Sequence, residues 1–141
     1  MWLDERGSEV LTLPECRRLL ALAASEDRHG HLGIATSGAP VVVPVNFVVH
    51  GPDVLVLVGE GLFSRMTGQL VAFQVDGPTT GAGSEPDAPW SVLLRGPALE
   101  EAQTLAAAEW LKPEVSKPGH RLVRIRGDAI SGRQLRARVE P

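Results

Sequence analysis

The stretch Pro40-Val41-Val42-Val43-Pro44-Val45-Asn46-Phe47-Val48-Val49-His50 decides how the chain is read. Its odd positions, Val41, Val43, Val45, Phe47 and Val49, are all apolar, whereas its even positions include Pro44, Asn46 and His50. Successive side chains of a strand point to opposite faces. The pattern therefore predicts a long strand with one face in a core and one face lining something more polar. Gly51-Pro52-Asp53 follows. Three residues are too few for a parallel crossover, so the returning strand is antiparallel. That strand, Val54 to Val58, is apolar without alternation, as expected of a strand buried on both faces.

Toward the N-terminus, His31 to Thr36 reads as a short strand and Ser37-Gly38-Ala39 as a turn. Before it lies a helix. Thr12 is followed three residues later by Glu15, with Pro14 in the first turn, a capping-box pattern. Leu13, Cys16, Leu19, Leu20 and Ala23 recur at helical spacing, and the helix is expected to end between Ser25 and Gly30. Cys16, on that stripe, reads as a packed core thiol.

Toward the C-terminus, Gly59-Glu60-Gly61 interrupts the pattern, and Leu62 to Thr67 predicts one or two helical turns ended by Gly68. Strands follow over Leu70 to Asp76 and Trp90 to Glu101, separated by a Gly- and Pro-rich stretch, Gly77 to Pro89, that reads as a mobile loop. A second helix is expected over Ala102 to Leu111, a last strand over Arg121 to Arg126, and a turn over Asp128 to Gly132. Six closely spaced strands with turn signals predict a mainly β, antiparallel barrel with flanking helices. It is read as one domain over 1–141, with 1–9 and 134–141 as flexible tails.

Composition narrows the function. The 141 residues carry a formal charge of -3, against the basic footprint of a nucleic-acid module. One cysteine permits neither an internal disulfide nor a thiolate zinc cluster. No apolar run reaches the length of a membrane span, and the polar N-terminus lacks a signal-peptide core, so a cytoplasmic protein is expected. The four histidines, His29, His31, His50 and His120, have no metal-ligand spacing. Dinucleotide, phosphate-loop, zincin and serine-elbow motifs are missing. Glu100-Glu101 reads as solvated charge at a strand end. No side chain stands out as a catalytic acid, base or nucleophile, so any redox or transfer chemistry would belong to a bound cofactor.

Four segments in order carry a resemblance: Gly33-Ile34-Ala35-Thr36 through Val43-Pro44-Val45-Asn46-Phe47, then Val71 to Asp76, then Trp90-Ser91-Val92-Leu93-Leu94-Arg95-Gly96, and finally Leu122 to Arg126 with Ile130-Ser131-Gly132-Arg133. Together they resemble the pyridoxamine phosphate oxidase-like flavoproteins over roughly residues 10–135. The resemblance implies a six-stranded split barrel, a homodimer, and FMN in a groove between subunits. It implies that the main chain of Pro44, Val45, Asn46 and Phe47 faces the isoalloxazine edge. Glu60, Gly61 and Arg65 would lie near the phosphate, with Arg95, Arg124 and Arg126 as alternative partners. Trp90 and Ser91 would border the groove, Ser91 and Trp90 coming from either subunit. The activity implied is that of a flavin-dependent oxidoreductase acting on an unidentified small molecule. Relatives of the same fold using F420 or haem, and a cofactor-free dimer with its groove blocked by Leu62 or Phe63, are the alternatives. Leu62-Phe63 stand where many relatives have lysine after the glycine.

Overall fold

The computed structural model describes residues 2–3, 9–26, 28–77, 89–102 and 120–134. Its elements are β1 (Trp2–Leu3), β2 (Glu9–Val10), α1 (Leu13–Ser25), β3 (Gly30–Ile34), β4 (Val41–Val45), β5 (Phe47–His50), β6 (Asp53–Gly59), α2 (Glu60–Met66), β7 (Leu70–Gly77), β8 (Trp90–Glu100), β9 (His120–Ile125) and β10 (Ala129–Gln134). The expected second helix and the 78–88 stretch fall outside the described residues.

The chain is a curled antiparallel half-barrel, a mainly β split barrel. One sheet runs β1-β2-β10-β8-β7-β3-β4; β5, β6 and β9 form a second. β8 joins them. Its Trp90–Arg95 half pairs with β10, and Ala98–Glu100 pairs with β9. The change of partner falls at Gly96 and Pro97, and a Cβ on Gly96 would overlap the carbonyl of Arg126. Only a residue without a side chain admits so close a backbone approach.

Three differences from the sequence reading have local causes. The 40–50 strand is broken at Asn46, where the chain leaves one sheet (β4) for the other (β5). Alternation continues through that corner, so the sequence carried no sign of it. The segment expected as a turn at 128–132 instead begins β10, paired with β8 from Ala129 to Gln134. Small and polar residues there resemble turn chemistry. The long β8 nevertheless supplies an unfilled ladder, and ladder bonds override a weak local preference. Short β1 and β2 then extend the sheet beyond β10, giving ten strands among the described residues rather than six.

α1 forms as its sequence dictates. Thr12 caps it, its Oγ1 accepting from the Glu15 N–H at 3.3 Å and donating to the Glu15 carboxylate at 2.9 Å. Cys16, Leu19, Leu20 and Ala23 are buried as α1 packs over β5, β7, β8 and β10. The core they enter includes Leu32, Phe47, Val56, Phe73, Trp90 and Ile125. Leu55, Leu57 and Leu122 form a second buried cluster on the other face of β6 and β9, so β6 is buried on both faces as its unbroken apolar run requires. α2 ends at Met66, and Gly68 then takes a positive φ of 83°, a conformation that favours glycine.

Candidate functional site

Among the described residues β4 has a single ladder partner, β3, and β5 a single partner, β6. Each is therefore an edge strand, and the two edges meet at Asn46. An edge strand presents main-chain N–H and C=O groups that no neighbouring strand uses. Pro44 sits on this edge, where a missing N–H is tolerated. Val45 and Phe47 turn into the core, while Pro44 is exposed and Asn46 half-buried. Side chains thus anchor this corner from inside and leave its main chain at the surface.

Next to that corner, a row of outward residues crosses five strands. Val42 lies opposite Gly33, Gly33 opposite Ala72, Ala72 opposite Arg95, and Arg95 opposite Ala129. Gly33 and Ala72 are too small to rise from the sheet, so they form the floor of a trough with a volume of about 600 Å³. Val42 and Leu70, 67% and 76% exposed, stand at its sides. The lining is almost wholly apolar. Arg95 is its one cation, and no side-chain hydrogen bond or ion pair holds that guanidinium among the described residues. Asp128 lines the trough too, but it pairs with Arg126 at 3.4 Å.

The outward row beside it runs Pro44, His31, Gln74, Leu93, Ser131, and is more polar. Gln74 Nε2 donates to Ser91 Oγ at 2.9 Å, which fixes Ser91 on this outer face. Trp90, its chain neighbour, points the opposite way. It is 2% exposed, its ring lies against Gly77, and its indole N–H is buried without a hydrogen-bond acceptor among the described residues. Its side chain belongs to the main core of the chain.

The α2 residues lie elsewhere, against β6 and β9. Glu60 accepts from Arg121 at 2.9 Å, and Arg121 also binds Glu100 and covers the Phe63 ring at 4.0 Å. Gly61 and Arg65 are exposed, and Arg65 has no partner among the described residues. Leu62 and Phe63 pack on the main core and neither lines the trough.

Of the alternative cationic partners, Arg124 is committed. It donates to Asp53 at 2.9 Å and to Glu101 through two nitrogens, at 2.8 and 3.0 Å, while Asp53 also accepts from the Gly127 N–H. These bonds hold the Glu101 carboxyl below the usual carboxylate range. Glu100 and Glu101 are thus paired rather than merely solvated, which a strand-end position in sequence did not reveal. Of the four arginines Arg65, Arg95, Arg124 and Arg126, two are paired with carboxylates.

The sequence brought forward the Pro44–Phe47 corner, but missed Gly33, Val42, Leu70 and Ala72. Their signal was faint: outward positions of strands filled by small or apolar residues.

The arrangement offers a planar heterocycle two things: main-chain donors and acceptors along an edge, and a flat apolar floor beside them. The residues present therefore fit a group of that shape. Among the described residues no helix is long and apolar enough to cross a membrane.

Comparison with known proteins agrees with this architecture. A family model for pyridoxamine 5'-phosphate oxidase matches residues 13–134. No curated protein matches the sequence. Among solved structures, a FAD-binding protein from Mycobacterium smegmatis is 26% identical, covers 92% of this chain and 99% of its own, and superposes with a TM-score of 0.67. Two more distant structures share the fold. A FAD-binding protein from Mesorhizobium loti is 21% identical, with 92% of this chain and 99% of that one covered and a TM-score of 0.67. The flavocytochrome Anf3 from Azotobacter vinelandii is 16% identical, with coverages of 96% and 73% and a TM-score of 0.68. By a match along most of its length, and by the same split-barrel architecture, this chain belongs to the pyridoxamine 5'-phosphate oxidase family.

Proposed function

We propose that the protein binds a flavin, FMN, at the seam of a cytoplasmic homodimer and acts as a flavin-dependent oxidoreductase on a small molecule. The observation that carries this reading is the meeting of two edge strands, β4 and β5, at the Pro44–Phe47 corner, beside an apolar trough. The ring's polar rim needs donors and acceptors in a line. The main chain of Pro44, Val45, Asn46 and Phe47 offers them from a corner that Val45 and Phe47 hold rigid. When bound, the flavin supplies hydride or electron transfer that no side chain of this chain offers. The protein's own part is to orient the ring and keep water from one of its faces.

In this reading the anionic tail extends toward Glu60, Gly61 and Arg65. Arg65 is the group there able to neutralise it, since Arg121 is held by Glu60 and Glu100. Exposed Val42 and Leu70 are apolar enough to be covered by a second copy, whose Trp90–Ser91 strand borders the groove. Ser91 would contribute its hydroxyl, and Trp90 its main chain only.

The visible spectrum of freshly purified protein, with mass spectrometry of whatever heat releases, tests the proposal. A yellow protein releasing FMN is expected. Release of FAD or F420 would reassign the cofactor, and a haem Soret band would align the chain with the flavocytochromes. A colourless protein that takes up no FMN on titration overturns the flavin reading.

A further inference from the structure

Gln74 and Ser91 are not direct partners in the ladder. Gln74 lies opposite Leu93, and Ser91, two residues back along β8, lies opposite Asp76. Diagonal positions on one sheet face are about 7–8 Å apart, within reach of a long side chain. Gln74 bridges the gap, its Nε2 donating to Ser91 Oγ at 2.9 Å. Both residues are half-buried on the outer face. Asp76, directly across from Ser91 and the stronger acceptor by charge, makes no hydrogen bond to it.

The direction of that bond decides what Ser91 can offer. A serine hydroxyl carries one proton and two lone pairs. Nε2 is itself a donor, so it fills a lone pair and turns the hydroxyl proton away from Gln74. Ser91 is thereby left to donate, and no group among the described residues accepts from it. A second copy closing over the outer face removes the water that now serves that proton. A hydroxyl covered in this way needs an acceptor from whatever lies in the seam, because an unmade hydrogen bond is costly there.

We propose that Gln74 is a positioning residue, holding the Ser91 hydroxyl as a hydrogen-bond donor to a ring carbonyl oxygen of the ligand in the seam. That the ring is a flavin's, and that Ser91 meets it from the second copy, rest on the function proposed above. The covered face is a requirement of this arrangement, since burial excludes the water that competes for the proton. A donor aimed at a ring oxygen binds more strongly once the ring carries added negative charge. Gln74 therefore favours reduced over oxidised flavin, acting through Ser91 and touching no ring atom itself.

The test uses the full chain with added FMN and riboflavin. Dissociation constants for both, and the midpoint potential of bound FMN, are measured for the wild type, Gln74→Met, Ser91→Ala and the double variant. Ser91→Ala should weaken the hold on reduced FMN about tenfold relative to oxidised FMN, a fall of about 30 mV for a two-electron couple. Gln74→Met, similar in size but without the donor, should lower the potential in the same direction by less. The double variant should match Ser91→Ala, because a residue that acts through Ser91 has nothing left to act on. Affinities for FMN and riboflavin should fall together, since the contact is to the ring and not to the phosphate. Both side chains lie on the outer face, so the variants should keep the wild-type urea midpoint. A Gln74→Met potential equal to the wild type's, or effects that add in the double variant, overturns the proposal and leaves the flavin reading standing. A wild type that takes up neither FMN nor riboflavin overturns both.

Discussion

Gly96 lets β8 pass from one sheet to the other because its missing side chain leaves room for the Arg126 carbonyl. Backbone cannot swing aside as a flexible side chain can. Gly96→Ala should therefore cost about 2–3 kcal/mol, seen as a lower urea midpoint with unchanged slope. Cys16 behaves differently. Burial pushes its thiol up, with the neighbouring Glu15 carboxylate adding to the effect. The reactive thiolate is thus scarce at neutral pH. Native protein should resist a thiol reagent, and the cysteine should react only once urea unfolds the chain. At Arg65 the expected effect is on ligand rather than stability. Arg65→Gln should lower FMN affinity about tenfold, the value of one charge-assisted hydrogen bond, and leave riboflavin, which lacks the phosphate, unaffected. Equal losses for both ligands would remove Arg65 from the phosphate.

Elements are fixed to one another by a few polar joints. Arg124 on β9 ties Asp53 at the start of β6 to Glu101 beyond the end of β8. Asp53 in turn holds the Gly127 N–H on the way to β10. The pH dependence follows from Glu101. Its carboxyl titrates below the ordinary range in the folded protein because Arg124 hydrogen-bonds the charged form. The resulting stability is fully present above the unfolded value, about 4.3, and is lost as pH falls through the lower, folded one. Urea midpoints should therefore hold steady from pH 7 to about 5 and decline below about 4.3. Glu101→Gln should be less stable at pH 7 and decline less steeply in acid. A variant with the wild-type slope in acid would show that other carboxylates govern it. The α1 cap is a simpler joint: Thr12→Ala should cost about 1 kcal/mol, read from the same urea curves.

At the scale of the whole molecule, the outer sheet face is the surface that a second copy would cover. Val42 and Leu70 are large, apolar and mostly exposed on it, a combination that marks interaction surfaces when contiguous. Sedimentation should show a dimer for the wild type, and Leu70→Glu should shift it to monomer while leaving the isolated fold intact, since Leu70 contributes little to the core. A wild-type monomer at micromolar concentration would end the homodimer reading.

The sequence by itself determined six strand-bearing segments, the capped helix and the alternation that puts Val45 and Phe47 inward and Pro44 outward. All of these are local: they follow from side-chain period, capping chemistry and turn residues. It also carried the resemblance to the pyridoxamine phosphate oxidase family, through four short segments in the right order. Only the tertiary structure decided that the 40–50 strand divides at Asn46 between two sheets, and that 129–134 pairs with β8. It alone set Gly33, Ala72 and Arg95 side by side across strands distant in sequence, and showed which arginines their carboxylates already claim. Pairing register and ion-pair choice depend on which strands become neighbours, and neighbours are chosen by the packing of the whole core rather than by any window of residues.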